Sequence, residues 1–300
     1  MSVGDAASRR CGAAGGIFTA PCCALATEMR RKGVAAGRGG ARLPAMFGLD
    51  PSTFWFVFAV TLFAGFVKGA VGFAMPMIMM SAFASVLPPQ TALAALILPT
   101  LVTNVMQAGR QGMGAAWGSV RRYRWHIAMV GLFILISAAF VTSVPQSLMY
   151  LLLGVPIVGF AIWQLSGRPM ALPIHHARRA EIVTGIIGGL YGGISGIWGP
   201  PLIVYLLSVG APKDEQMRVQ GVVFLMGAVV LTFAHLGSGV LDAQTLPLSA
   251  VLVVPGVVGM VLGLRVHDRL DVAQFRRWTL VLLVFSGLNL VRRGLELLAS

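Results

Sequence analysis

Charged residues are scarce in this sequence, and acidic ones most of all. Only 11% of the 300 residues are charged, with 10 acidic against 23 basic side chains, whereas 57% are hydrophobic. The mean hydropathy is +0.82. A soluble domain carries about 25% charged residues, so this chain lacks the ionic surface that water requires. The composition predicts an integral membrane protein whose surroundings are the lipid bilayer.

Acidic residues are missing from the middle of the apolar runs. Every Asp and Glu after residue 46 stands at a run end or in a loop, which disfavours a carboxylate proton relay and an acidic selectivity ring. The sequence has no His-rich metal cluster, no phosphate loop and no Ser, His and Asp set within the runs. We therefore expect no enzymatic activity, no cofactor and no metal.

Cysteine is confined to the first 45 residues, as Cys11, Cys22 and Cys23, so the body of the protein has neither thiol chemistry nor a disulfide. Residues 1–45 are basic and rich in Gly and Ala, which predicts a disordered tail, and Met46 is an alternative start site. The net charge of +13 comes from short basic clusters between apolar runs, so no nucleic-acid partner is expected.

Two of the eight apolar runs are too long for one membrane crossing. The runs span 53–87, 91–107, 125–142, 148–165, 182–208, 219–236, 246–264 and 278–298. As one straight helix, the 35 residues of the first run would extend about 52 Å, across a hydrocarbon layer of about 30 Å. The first run must therefore break or fold back, and the fifth run is also longer than the rest.

The same glycine and proline spacing occurs in both long runs. Four positions in the first run, Gly65, Gly69, Gly72 and Pro76, match Gly189, Gly193, Gly196 and Pro200, each 124 residues later. This repeat predicts an all-α helical bundle of two homologous halves, 46–172 and 173–300, each with a broken first segment. Gly-x3-Gly alone is also typical of a helix-packing seam, so both interpretations of these glycines stay open.

The distribution of Lys and Arg between loops predicts the topology. The loops after the second and fourth runs are basic, whereas the linkers around Pro145 and Asp242 contain no Lys or Arg. Basic loops favour the cytoplasmic side. If each broken run returns to the side from which it enters, the two halves are inverted relative to each other, as in many secondary transporters.

A helix broken inside a membrane leaves backbone groups that protein, water or a substrate must satisfy, and a half-helix N-terminus suits an anion. The predicted substrate-binding residues cluster at the two breaks and on the second run: Lys68, Gly69, Gly72, Pro76, Asn104, Gln107, Gly193, Ser195, Gly196, Trp198 and Pro200. Lys68 is the central candidate, because it lies deep within an apolar run, where an ammonium is costly.

Each polar candidate also has a structural interpretation. Lys68 could extend to the headgroups instead of meeting an anion. Asn104 and Gln107 share a helix face, where they either line a site or form interhelical hydrogen bonds. His235 either carries a proton or lies at the membrane interface. These alternatives cannot be separated from the sequence.

The segment Gly65 to Pro76 with the following Pro88-Pro89 turn resembles the first signature of the sulfite exporter TauE/SafE family of membrane permeases. The stretches Gly189 to Pro201 and Pro255 to Arg265 resemble its second-half signatures. Ala74 and Met75 stand where that family often has more Gly. The resemblance implies a duplicated transporter of the cytoplasmic membrane that moves small, often sulfur-containing anions outward.

Together these patterns predict a multi-pass transporter, and more specifically an exporter, of a small anion such as sulfite or an organosulfonate, acting by alternating access. A passive anion channel of the same fold and a membrane scaffold without substrate flux are the alternatives. The particular anion, the direction of transport, the coupling ion, the oligomeric state and the number of crossings stay open.

Overall fold

Helices form all the regular secondary structure in the part of the chain that the computed structural model describes, which is residues 47–110, 112–168, 171, 176–266 and 272–299. The predicted tail at residues 1–45, with its three cysteines, lies outside the described residues. Eleven α-helices occur in the described ranges: α1 Pro51–Val71, α2 Met75–Phe83, α3 Pro89–Gly109, α4 Met113–Arg122, α5 Arg124–Phe140, α6 Gln146–Leu165, α7 Ala177–Ser195, α8 Gly199–Ser208, α9 Lys213–Gly237, α10 Leu246–Val266 and α11 Val272–Ala299.

Six of these helices, α1, α3, α5, α6, α9 and α10, are long and apolar enough to cross a membrane. Large apolar side chains such as Trp55, Phe233 and Phe285 are exposed on the outside of the bundle, whereas Lys68 and Asn104 are buried inside it. This distribution suits a lipid solvent, in which polar groups must find partners within the protein. The predicted all-α, polytopic membrane bundle is confirmed.

Both long apolar runs are broken, as the repeat predicts. Helix α1 ends at Val71 and is followed by Gly72 at φ 88°, and α7 ends at Ser195 and is followed by Gly196 at φ 72°. Both glycines adopt the left-handed conformation that L-residues disfavour. Ala74, at φ 79°, adopts it without being glycine. Helices α2 and α8 then begin with Pro76 and Pro200 in their first turns.

The first break lies at residues 72–74, in the middle of the run, and it separates a long helix from a short one. At 21 residues, α1 extends about 31 Å and can cross the hydrocarbon layer, whereas the nine residues of α2 extend only about 13 Å. The reason is that Gly65 and Gly69 do not interrupt α1. A Cβ on Gly65 would stand 3.1 Å from the backbone nitrogen of Met260, so these glycines allow α1 and α10 to pack closely.

The second half shows the same close packing at glycines, because α7 packs on α5 through Gly189 and Gly193. A Cβ on Gly189 would stand 2.7 Å from the Val130 carbonyl oxygen, and one on Gly193 would stand 2.6 Å from that of Ile134. The packing-seam interpretation therefore describes the first two glycines of each repeat, and the interruption begins at the third.

Most of the packing joins one half of the chain to the other. Helix α1 packs on α10, α7 on α5, α6 on α11 and α3 on α9. Met75 and Gly199, which begin α2 and α8, are 124 residues apart, so the helices of the two halves correspond at the offset of the repeat. Helix α4 has no counterpart between α9 and α10.

Equivalent helices run antiparallel where they meet. The backbone around Ala108 in α3 lies against Gly221 in α9, and Asn104, one turn earlier, donates to the carbonyl of Phe224, one turn later. In the α6 and α11 pair, Gly154 meets Val291 and Leu151 meets Gly294. Each half thus supplies one member of an antiparallel pair at both contacts.

The beginning of α9 lies beside the connection between α4 and α5. The Tyr123 hydroxyl donates to the Glu215 carboxylate at 2.7 Å, and Arg122 lies 3.1 Å from the same oxygen. Burial, together with the hydrogen bond to Glu215, raises the pKa of the Tyr123 phenol. Arg218 also donates to the Ser119 hydroxyl at 3.1 Å. Basic segments from both halves therefore meet at the same end of the bundle.

Candidate functional site

Lys68 is buried in the centre of the bundle. Its side chain, in the last turn of α1, is only 2% exposed. The ammonium donates to the Thr103 hydroxyl at 2.9 Å and to the side-chain carbonyl of Asn104. No carboxylate among the described residues forms an ion pair with it. Lys68 therefore does not extend to the headgroups, and its charge has only neutral partners.

Asn104 links Lys68 to the second half of the protein. Its amide nitrogen donates to the Phe224 carbonyl of α9 at 2.9 Å, while its oxygen accepts from Lys68. Thr103 bonds back to the carbonyl of Pro99 at 2.7 Å. The polar face of α3 thus holds the ammonium between α1 and α9.

Both helix breaks and Lys68 line one cavity of about 30 Å³. A buried water needs about 10–15 Å³ on this scale, so the space suits a few atoms. The lining consists of Lys68, Phe73, Ala74, Pro76, Met77, Thr100, Asn104, Gly196, Ile197, Trp198, Gly199, Pro200 and Phe224. Six of the predicted residues, Lys68, Pro76, Asn104, Gly196, Trp198 and Pro200, are therefore brought together here.

The first turns of α2 and α8 both face this cavity, through Pro76 and Met77 in α2 and Gly199 and Pro200 in α8. The N–H groups of a first helical turn have no partner within their own helix, and the helix dipole places partial positive charge there. Proline contributes no N–H, so fewer donors are available than two ordinary helix ends would supply. The field at the cavity nevertheless favours negative charge.

The other five predicted residues lie outside the cavity lining. Gly69 and Gly193 are in the helix seams described above. The carbonyl of Gly72 accepts from the Gln107 amide at 2.9 Å. The Ser195 hydroxyl donates to the Tyr191 carbonyl at 2.7 Å and accepts from the Ile197 N–H at 3.0 Å. Gln107, Gly72 and Ser195 therefore hold the shapes of the two breaks.

His235 is buried between α9 and α7. Its Nε2 lies 2.9 Å from the carbonyl oxygen of Gly193, and its Nδ1 lies 3.1 Å from the Ser238 hydroxyl. Because a carbonyl can only accept, Nε2 carries the hydrogen. The imidazole is thus buried and hydrogen-bonded on both sides near the second break.

Sequence reasoning did not select Thr100, Thr103 and Phe224. Helical spacing could have indicated both threonines. Thr100 is four residues before Asn104, and Thr103 is four residues before Gln107, so each threonine shares a face of α3 with a predicted residue. Phe224 carried no signal, since its contribution is a backbone carbonyl and an aromatic ring 6.5 Å from that of Trp198. Among the described residues, no group of His, Cys, Asp and Glu is arranged to hold a metal.

Comparison with known proteins covers the region of the chain that contains this cavity. The model of the family described as sulfite exporter TauE/SafE matches residues 57–290. A protein from Cupriavidus necator named probable sulfite/organosulfonate exporter TauE is 26% identical over 231 residues, which cover 75% of this chain and 89% of that protein. No solved structure matches. The matched region includes both helix breaks and every residue of the cavity lining, and the chain belongs to the sulfite exporter TauE/SafE family.

Proposed function

We propose that this protein exports a small anion, sulfite or an organosulfonate, across the cytoplasmic membrane by alternating access. The named relative is called an exporter of sulfite or organosulfonate, and family membership makes a membrane transporter of sulfur-containing anions the general class. The cavity at the two helix breaks is the substrate site.

One observation carries the proposal: the ammonium of Lys68 is buried with no carboxylate partner among the described residues, beside two half-helix N-termini. A buried charge without a counter-charge is costly. An anion that enters the cavity supplies the missing charge, and the glycine and proline segments leave room for it to approach the backbone. The bilayer and the substrate anion are the partners that this arrangement requires.

Alternating access needs two related halves that can rock around a central site. The antiparallel contacts between equivalent helices, α3 with α9 and α6 with α11, support an inverted relationship between the halves. The cavity lies where the two halves meet, because α1, α2 and α3 line it from one half and α8 and α9 from the other. If the halves are inverted, an exchange of conformation between them would convert a cavity open to one side of the membrane into a cavity open to the other side.

Lys68→Met is the direct test. We expect the variant to insert and fold but to exchange sulfite or methanesulfonate at least tenfold more slowly in proteoliposomes, because a charge-assisted hydrogen bond to a buried anion contributes about 1.5–3 kcal/mol. Arg292→Met is the matched control, since it removes one positive charge from an exposed position.

The same experiment separates the alternatives. Saturable flux that is accelerated by substrate on the opposite side indicates a transporter, whereas flux that does not saturate indicates a channel. A wild-type protein with no flux of any sulfur anion would indicate a scaffold. Normal exchange by Lys68→Met would contradict the role of the charge.

A further inference from the structure

The cavity lining contains buried hydrogen-bond donors that have no partner among the described residues. The Thr100 hydroxyl and the Trp198 indole nitrogen are buried and have no partner in the described parts of the chain. An ammonium has three hydrogens, and Lys68 uses two of them, on Thr103 and Asn104. Three side chains of the lining thus carry an N–H or O–H that no described residue accepts.

Acceptors in the lining are few, although the Thr100 hydroxyl oxygen can accept as well as donate. The Asn104 oxygen accepts from Lys68, and its amide nitrogen donates to the carbonyl of Phe224. No Asp, Glu or His belongs to the lining that the structure describes. A ligand with an ammonium group would therefore find no carboxylate, whereas a ligand head made only of acceptor oxygens matches the three donors.

Trp198 is held rigidly in this lining by two glycines. A Cβ on Gly227 of α9 would stand 2.6 Å from the indole ring, and one on Gly192 of α7 would stand 3.1 Å from it. The ring therefore fills the space that both missing side chains leave. Its N–H has no acceptor among the described residues, and a buried donor without a partner is unfavourable.

The positive charge of the lining determines the net charge of the ligand that neutralises it. Lys68 is the only cation of the lining in the described residues. The two helix ends stabilise an anion by less than the cost of burying one unpaired charge. A monoanion neutralises the site, whereas a dianion or a zwitterion leaves one charge uncompensated.

The rest of the lining is largely apolar and includes Phe73, Met77, Ile197 and Phe224. These side chains suit a small uncharged substituent and penalise a second polar group. From donors, charge and apolar walls together, we infer that the cavity selects monoanionic sulfonates that carry a small uncharged group, and that Thr100 and Trp198 are specificity-determining donors. Sulfate and aminosulfonates are excluded. This inference rests on the proposed function.

Competition in proteoliposomes tests the selectivity. The full chain is reconstituted, exchange of labelled methanesulfonate is followed, and unlabelled methanesulfonate, taurine or sulfate is added. We expect methanesulfonate to compete at least tenfold better than taurine, which carries an ammonium, and than sulfate, which carries two negative charges. Equal competition by taurine or by sulfate would overturn the inference.

Variants test the two donors. Thr100→Val keeps the shape and removes the O–H, whereas Trp198→Phe removes the N–H together with part of the ring. Each is expected to raise the half-saturating methanesulfonate concentration about tenfold or more. Thr100→Ser should restore it. Thr232→Val is the control, because the hydroxyl of Thr232 already bonds to the Ala228 carbonyl at 2.7 Å within α9. Wild-type behaviour of both Thr100→Val and Trp198→Phe would refute their role.

The outcomes distinguish this inference from the proposed function. If wild-type protein exchanges no sulfur anion, or if Lys68→Met exchanges normally, the proposed function fails. If exchange depends on Lys68 but sulfite competes and methanesulfonate does not, the proposed function stands and the inferred preference for a substituted sulfonate is wrong.

Discussion

The ammonium of Lys68 donates a hydrogen bond to the side-chain carbonyl of Asn104, 36 residues further along the chain. This contact joins the end of α1 to the polar face of α3, and Asn104 extends it to α9 through the Phe224 carbonyl. A neutral amide orients the ammonium without cancelling its charge. The positive charge of Lys68 therefore has no counter-charge among the described residues.

Asn104→Asp is expected to abolish anion exchange. Its carboxylate would pair with Lys68 and take the place of the substrate as the counter-charge. Asn104→Leu is the control, because it also removes the amide donor to Phe224 but adds no charge. We expect exchange in proteoliposomes to be at least tenfold slower for Asn104→Asp than for Asn104→Leu. Equal or faster exchange by the aspartate variant would show that Lys68 needs no free charge.

Alanine substitution should lower stability at one glycine of α6 and not at another. A Cβ on Gly154 would stand 2.8 Å from the Gly287 carbonyl oxygen and 2.9 Å from the Val291 nitrogen, whereas one on Gly159 meets nothing within 4 Å. Gly154→Ala must push α6 away from α11, and we expect it to lower stability by about 1–3 kcal/mol.

Gly159→Ala is the matched control on the same helix, and its better helix propensity should leave stability unchanged or raise it by up to about 1 kcal/mol. Thermal unfolding of both variants in detergent gives the comparison. If the two alanines lower the melting temperature equally, close packing between α6 and α11 is not the reason for Gly154.

The start of α1 should loosen in acid. Asp50 caps this helix, since its carboxylate accepts from Ser52, from the Thr53 N–H at 3.0 Å and from the Thr53 hydroxyl at 2.8 Å. These hydrogen bonds, that of Ser52 first, lower the pKa of Asp50 to about 2. A lowered pKa stabilises the folded helix end above the unfolded value of about 3.9, and this contribution is lost as the pH falls towards 2.

Amide exchange at the first turn of α1, corrected for intrinsic rates, is therefore expected to accelerate between about pH 4 and pH 2. In Asp50→Asn the cap is kept and the extra pH dependence should disappear. An identical acid profile in both proteins would exclude Asp50 as the titrating group.

The inverted arrangement predicts which loops share a side of the membrane. Single cysteines at Ser143 and Ala243, both exposed, should react with an impermeant maleimide from the same side. A cysteine at Arg121 should react from the other. Native Cys11, Cys22 and Cys23 must first be replaced. Labelling of positions 143 and 243 from opposite sides would contradict the inversion.

Much of the architecture was predictable because it depends on local rules. A chain with few charges and long apolar runs must fold in lipid, and glycine with proline inside a run weakens the helix there. The repeat at 124 residues located both interruptions. Local rules did not separate Gly69, which lies in a helix seam, from Gly72, which ends the helix, because that difference depends on whether a second helix lies alongside.

The amino-acid sequence alone determined the solvent, the helical class, the region of each helix break and the one lysine within an apolar run, which lipid cannot tolerate without a partner. Only the tertiary structure decided that Lys68 meets Thr103 and Asn104, and that both breaks open on one cavity with Thr100 and Trp198. The physical reason is the separation along the chain between the residues that interact. Solvent preference and helix breaking act over a few neighbouring residues, whereas the partners of a buried charge come from helices that are distant in sequence and meet only when the two halves pack.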